Sequence, residues 1–305
     1  MNYTKRKPLV ISSSGLIAYG RCPKSFELSY VEGYRMKPRD CMSQGSAFHF
    51  LMQRLYEGAT EDELETIGRG GEWPEMYDVF LAYRNHKGHE FPSRDKVIRL
   101  EEPIFSQLLP NVWLRNTYDR LWDDNGELTD DDYKTFDKAM QLDVSMDTQG
   151  LLFLAVLQRK YGTQYRGYKR RYLNVRRQTP LTPKNATQQK LADAGKPFES
   201  WSLDECYKNQ PLRLVPGQAN VVWKEMQSRA EKILWSLKKR TKDPTSEPFD
   251  RVYLKGSSPY TCGGQICRTL CMKQFLQGGL TEIDLITEGV TIDTPPTLPK
   301  EFLKK

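Results

Sequence analysis

Long apolar runs are missing from this sequence: none of its 305 residues falls in a stretch of the twenty or so consecutive apolar positions that a membrane-spanning helix requires. Behind the basic residues 1–8 comes only Leu9-Val10-Ile11 before a run of serines. That is too short for the apolar region of a secretory signal, so a cytoplasmic location is expected. A G-x-x-x-x-G-K-[ST] loop is also missing, which excludes a recognisable nucleotide-driven motor in the chain. There is no internal repeat and no low-complexity tract outside the Pro-rich residues 291–305. What remains is a polar chain of mean hydropathy -0.68, with 38% hydrophobic and 28% charged residues, long enough to bury a sizeable core. Cysteine is scarce, with six residues, but Cys262, Cys267 and Cys271 crowd into ten positions. In a cytosolic chain such crowding points to a metal rather than to disulfides, while Cys41 and Cys206 read as ordinary thiols.

Net charge is +7 and the pI about 8.9, a balance that favours a polyanionic partner through release of counterions. Hydrophobic periodicity gives the outline. Ser12-Ser13-Ser14 caps a short helix, Pro23 opens a second, and Phe48, Leu51, Met52 and Leu55 mark a third over residues 44–56. Further helices are expected over 60–67, 75–83, 143–161 and 221–239, with strands over 97–100, 112–121, 127–135 and 168–177. The reading is one elaborated α/β domain over 1–305. It has a helical part at 12–95, a core at 96–180, a polar insertion and helix at 181–250, a cysteine region at 251–290 and a tail at 291–305.

The chemistry concentrates in one hairpin. Asp123-Asp124-Asn125-Gly126 carries the Asn-Gly signal of a two-residue turn, so the strands on either side pair across it. Asp119 and Asp132, with twelve residues between them, then approach each other, and two such carboxylates repel unless a cation lies between them. Oxygen ligands favour Mg²⁺ or Mn²⁺. Lys134, two residues beyond Asp132, shares its face of the strand. A solvated acidic hairpin accounts for the same charges, since Asp123, Asp124, Asp130 and Asp131 are also present.

Thr117-Tyr118-Asp119-Arg120-Leu121 followed by Asp132-Tyr133-Lys134-Thr135 resembles the motifs of the PD-(D/E)XK nuclease superfamily, in particular its RecB-like, CRISPR-associated-type exonuclease branch. Other segments match in the same order: residues 12–30 with Cys22-Pro23 and Phe26, the Gly-x-x-x-His frame of Gly45 to His49, Gln149 of a Gln-x-x-x-Tyr frame in which Phe153 replaces the tyrosine, and Tyr172 to Arg176. The resemblance implies a restriction-endonuclease-like fold, with a mixed central sheet flanked by helices. It implies His49, Asp119, Asp132 and the Tyr133 carbonyl as metal ligands, Lys134 as the cation at the water or phosphate, Gln149 as a support for either, and Arg120 at a phosphate. Two features depart from the family: Asp130 and Asp131 stand where apolar residues are usual, and Asn116 where glycine is frequent. A one-residue shift of the strand would exchange Asp132 for Asp131 but misplace Lys134, so the Asp132 register is retained. Glu101 and Glu102, which precede the hairpin, are read as surface acids, with a supporting carboxylate behind the metal ligands as the other reading.

Some members of that branch tie one N-terminal and three C-terminal cysteines around a [4Fe-4S] cluster, the layout of Cys22 with Cys262, Cys267 and Cys271. Zinc would satisfy the same thiolates, and unligated cysteines are a third reading. For DNA binding, Arg166, Lys169, Arg170 and Arg171 interleave with Tyr165, Tyr168 and Tyr172, pairing cations for phosphates with rings for unpaired bases. A strand with its charges turned outward fits the same pattern. The expectation is a Mg²⁺- or Mn²⁺-dependent deoxyribonuclease acting on single-stranded or duplex ends in recombination, repair or replication. It would work in a bacterial or phage-infected cell, alone or beside a separate helicase or recombination protein. Two alternatives stand next to it: a DNA-end-binding assembly module with a dormant site, and a structure- or sequence-specific endonuclease.

Overall fold

The computed structural model describes residues 8–36, 40–136, 147–242, 290–292 and 299. The chain divides into two compact units, one of residues 1–37, 104–116 and 216–305, the other of 38–103 and 117–215. Strands β3 (Val97–Leu109) and β4 (Val112–Asp124) pair with each other and contribute to both units.

In the first unit, β1 (Leu9–Ser12) runs parallel to the start of β4, with Leu9 opposite Val112 and Ser12 opposite Arg115. Ser12 then caps helix α1 (Ser13–Arg21), its hydroxyl accepting from the Gly15 amide, and Ser13 hydrogen-bonds Asn116. Proline opens the short α2 (Pro23–Phe26), because the first-turn amide it lacks has no partner in a helix anyway. A π-helical turn, Glu27–Val31, follows. Strand β2 (Tyr34–Met36) pairs antiparallel with Val290–Ile292, the last strand among the described residues. Helix α9, Gln218–Lys242, buries Val222, Met226, Ile233 and Leu237 on one stripe, as its periodicity predicts.

The second unit carries the hairpin. Helix α3 (Asp40–Glu57) packs Phe48, Leu51 and Met52 into a core shared with α4 (Glu61–Gly70) and α5 (Glu75–Lys87). Thr60 and Glu63 form a reciprocal capping box that fixes the start of α4. Strand β5 (Glu127–Phe136) pairs antiparallel with β4 and parallel with β6 (Gly167–Arg176). The crossover between β5 and β6 includes α6 (Thr148–Tyr161), whose residues Gly150 to Leu157 are all buried. A Cβ at Gly150 would collide with the Tyr172 hydroxyl, so this helix lies against β6 only because the position has no side chain.

The polar insertion within residues 181–250 holds more structure than expected: α7 (Ala186–Asp193), α8 (Leu203–Cys206) and β7 (Tyr207–Arg213). Strand β7 closes this sheet beside β6, antiparallel, and its composition, Tyr-Lys-Asn-Gln-Pro-Leu-Arg, hides it. Pro211 suits an edge, where one face of the backbone needs no ladder partner. The sheet of β4, β5, β6 and β7 is therefore mixed and flanked by helices, the α/β architecture expected. Residues 143–146 of the expected helix lie outside the described residues, as do Cys262, Cys267 and Cys271.

Candidate active site

Asn125 and Gly126 take left-handed backbone at φ 54° and 88°, as a two-residue hairpin turn requires, and set Arg120 opposite Asp131. Alternation along β5 then assigns faces. Asp130, Asp132 and Lys134 point one way, Asp131 and Tyr133 the other. The Lys134 ammonium lies 2.7 Å from Asp132 Oδ2, so the two share a face as the retained register demanded. Asp119 crosses to the same place, its Oδ2 accepting from the Tyr133 amide at 2.8 Å.

Helix α3 delivers His49. Its Nε2 lies 2.9 Å from the Tyr133 carbonyl, which can only accept, so Nε2 carries the proton and Nδ1 faces two carboxylates. These are Asp119 Oδ2 at 3.3 Å and Glu101 Oε1 at 3.8 Å. One ligand atom from each of His49, Glu101 and Asp119 lies within 4.8 Å of the others. Glu101 therefore stands among the candidate ligands themselves, nearer than either sequence reading, a surface acid or a supporting carboxylate, put it. Its φ of 51° is left-handed, a conformation costly for a side-chain-bearing residue, and it interrupts the alternation of β3 next to the cluster. No pattern of residue types records that backbone turn; the Glu101-Glu102-Pro103 step at the end of the expected strand was the available trace.

The electrostatics are those of anions short of a cation. Burial, then the neighbouring Asp132 carboxylate, pushes the Asp119 carboxyl up to about 6. Burial pulls the His49 imidazole down, but Glu101, Asp119 and Asp132 together outweigh it and hold it above its ordinary value. Asp132 differs. Burial raises it, yet Arg170 and Lys134 prevail and keep its carboxyl below the usual range. Arg170 Nη2 is 2.6 Å from Asp132 Oδ1, so both Asp132 oxygens face cations of the chain, and Asp132 stands beside the group of three rather than in it. The Tyr133 carbonyl likewise serves here to orient His49.

The basic residues expected at DNA are placed otherwise, and three need correcting. Arg120 is fully buried, its guanidinium on Asp131 and over the rings of Tyr56 and Phe91. Arg170, also buried, bridges Asp130 and Asp132. Arg171 bonds Asp131 at 2.6 Å and lies over Trp122. A charge removed from water needs a fixed partner, and these have theirs inside the protein. Lys169 pairs with Asp124 and Glu127 at 2.9 and 3.0 Å. Tyr168 is half-buried against Tyr165, and Arg166 is exposed beside the hairpin turn, bonded to the Asn125 carbonyl. Gln149 lies in the first turn of α6, where its amide is capped by Asp147, and it does not line the cleft over the three ligands. Phe153, in place of the family tyrosine, packs against Tyr118 at 4.9 Å. Cys22 is half-buried at the end of α1, and Cys206 is buried in the core of the second unit.

The sequence model of one family, the PD-(D/E)XK nuclease superfamily, matches residues 10–232, a span that holds every residue of this cluster. The chain belongs to the PD-(D/E)XK nuclease superfamily. It is therefore a nuclease-type hydrolase of a family that uses divalent metals, and two carboxylates with an imidazole form a donor set that fits one. The fold is similar to that of a crystal structure from Eubacterium rectale named as a candidate exonuclease, with 12% identity and a TM-score of 0.46, over 80% of this chain and 85% of that one. No curated protein gives a significant sequence match.

Proposed function

We propose that this PD-(D/E)XK protein is a Mg²⁺- or Mn²⁺-dependent deoxyribonuclease that hydrolyses DNA from its ends. The observation that carries the reading is the convergence of His49 Nδ1, Glu101 and Asp119 at a cleft lined by His49, Glu101 and Lys134. Hydrolysis adds the oxygen of a water to phosphorus and breaks the bond to the sugar oxygen. A divalent cation, when bound, orients the phosphate and acidifies the attacking water. The chain supplies the rest. The Tyr133 carbonyl fixes the His49 tautomer, so that Nδ1 offers a lone pair beside the two carboxylates. Arg170 fixes Asp132 from beneath and holds it ionised. Lys134, whose side chain is 45% exposed, is paired with Asp132 among the described residues and can turn to meet charge developing on the phosphate. Among the basic residues, Arg166 is placed to meet DNA at the hairpin end, with Lys169 and Tyr168 beside it.

The test offers linear duplex, covalently closed circular and single-stranded DNA with Mg²⁺ or Mn²⁺ to the wild-type protein and to Asp119→Ala. Linear substrates should shorten progressively, the circle should stay intact, and the variant should bind without cutting. A cut circle would replace the exonuclease with an endonuclease. Inert wild-type protein would leave an end-binding module.

The layout of Cys22 with Cys262, Cys267 and Cys271 supports a second proposal, a four-cysteine [4Fe-4S] site in this chain. Anaerobic purification should yield brown protein holding about four iron and four sulfide ions, the cluster's own stoichiometry. Zinc in their place would reassign the site, and neither metal after reconstitution would remove it.

A further inference from the structure

Two stripes of helix α3 face the cleft, and they differ in chemistry. At a spacing of four residues, Gly45, His49 and Gln53 form the inner stripe, and Met42, Ser46 and Phe50 form the next one out. The inner stripe is small and polar. Gly45 lies so near β5 that a Cβ there would come within 2.9 Å of Thr135 Oγ1, and His49 reaches the carboxylates. The outer stripe is apolar at both ends: Met42 is 57% and Phe50 48% exposed, while Phe48, two residues away, is fully buried in the core. Among the described residues no ring or cation packs on Phe50. About half of Phe50 stays open to solvent, which leaves an aromatic face free to take a planar partner beside the charged groups.

We propose that the outer stripe is a nucleobase subsite, in which Phe50 stacks on an unpaired base of a DNA end while the adjoining phosphate faces Lys134 and the three ligands. This rests on reading the cleft as a nuclease site and names its substrate: a single-stranded end. Three features support that occupant. The cleft is open on one side and offers about 630 Å³, within the range of roughly 300–1,000 Å³ for small-ligand sites. Its division into a charged depth and an apolar aromatic rim matches a nucleotide's division into phosphate and base. A base can lie flat on a side-chain ring only after leaving its paired partner, an energetic cost smallest where the strand is already single.

A coupling cycle tests it. Single-stranded oligonucleotides carrying one abasic residue, moved stepwise inward from either end, are compared with the intact strand for the wild-type protein, Phe50→Ala and Phe50→Trp. Cleavage is followed with Mg²⁺, and binding by fluorescence anisotropy with Ca²⁺ in its place. At one position the abasic residue should weaken wild-type binding and raise KM on the order of tenfold, as loss of one base-to-ring stack does. Phe50→Ala should suffer a similar loss on the intact strand and no longer distinguish the abasic one, while Phe50→Trp should retain the discrimination. Far-UV circular dichroism checks that α3 persists. Abasic and Phe50→Ala effects that multiply independently at every position, or an unaffected Phe50→Ala, would overturn the subsite. If the wild-type protein cuts nothing, the nuclease reading falls, and the anisotropy cycle still decides whether a base sits on Phe50.

Discussion

Lys134→Ala should lower the rate of DNA hydrolysis by about 10²–10³ while leaving DNA binding and the metal requirement within a few-fold, because the ammonium acts on charge that appears only during the reaction. Glu101→Gln should do the opposite. It removes one anionic ligand from the group of three, so the Mg²⁺ or Mn²⁺ needed for half-maximal cleavage should rise on the order of tenfold or more, with much of the rate recovered at saturation. Titrating cleavage against metal for both variants separates the roles. If Glu101→Gln leaves the metal dependence unchanged, Glu101 is not a ligand. If Lys134→Ala changes only the metal dependence, the lysine serves Asp132 and not the phosphate. The same titration has a pH sign. Burial and Asp132 raise the Asp119 carboxyl to about 6, the neighbouring carboxylates hold the His49 imidazole above its ordinary value, and a ligand must be deprotonated to bind metal, so protons compete with the cation at both groups. The metal requirement should therefore climb as pH falls through neutrality towards about 5.5.

How far this site could be read in advance depends on what each residue type records. The hairpin was legible, because Asn125-Gly126 specifies left-handed backbone and the two-residue period fixes which acids share a face with Lys134. His49 was legible through the Gly45 frame and the helical spacing of Phe48, Leu51 and Met52. Glu101 was not, since its place depends on a positive φ in the middle of a strand. The arginines were misread for a different reason. A charge in a sequence shows its sign and not its partner, and the partners here come from register: β5 and β6 run parallel with Asp130 beside Arg170 and Asp131 beside Arg171. Asp130 and Asp132 meet Arg170 on the face of the sheet that carries the site, and Asp131 meets Arg171 and Arg120 on the opposite face, while Lys169 pairs with Asp124 and Glu127. The departure from the family pattern at Asp130 and Asp131 was the visible half of these pairings.

The buried group around Asp131, on the face away from the site, should be where the second unit is most easily broken. Asp131 is fully buried and accepts from Arg120, Arg171 and the Trp122 indole at 3.0 Å. Burial raises its carboxyl, but Arg120 and Arg171 overcome that and hold it below the ordinary carboxylate range. A depressed carboxylate contributes stability that is fully present above its unfolded pKa and is lost as pH falls through the lowered value. Asp131→Ala leaves the Arg120 guanidinium, itself fully buried, without its anion, and loss of one partner from such a pair costs about 3–5 kcal/mol. Urea unfolding at pH 7 should show a midpoint lowered accordingly, with an unchanged slope. Arg120→Met combined with Asp131→Leu should lose less than the two single changes added together, because no buried charge of that pair then lacks its counterion. The aromatic rings of Tyr56 and Phe91 around Arg120 would receive the methionine as readily as the cation. Additive losses would show instead that the pair's value lies in its packing. Because Asp131 points away from Asp132, a double variant that folds should keep the metal dependence of the wild-type protein, dividing what holds the sheet together from what holds the ion.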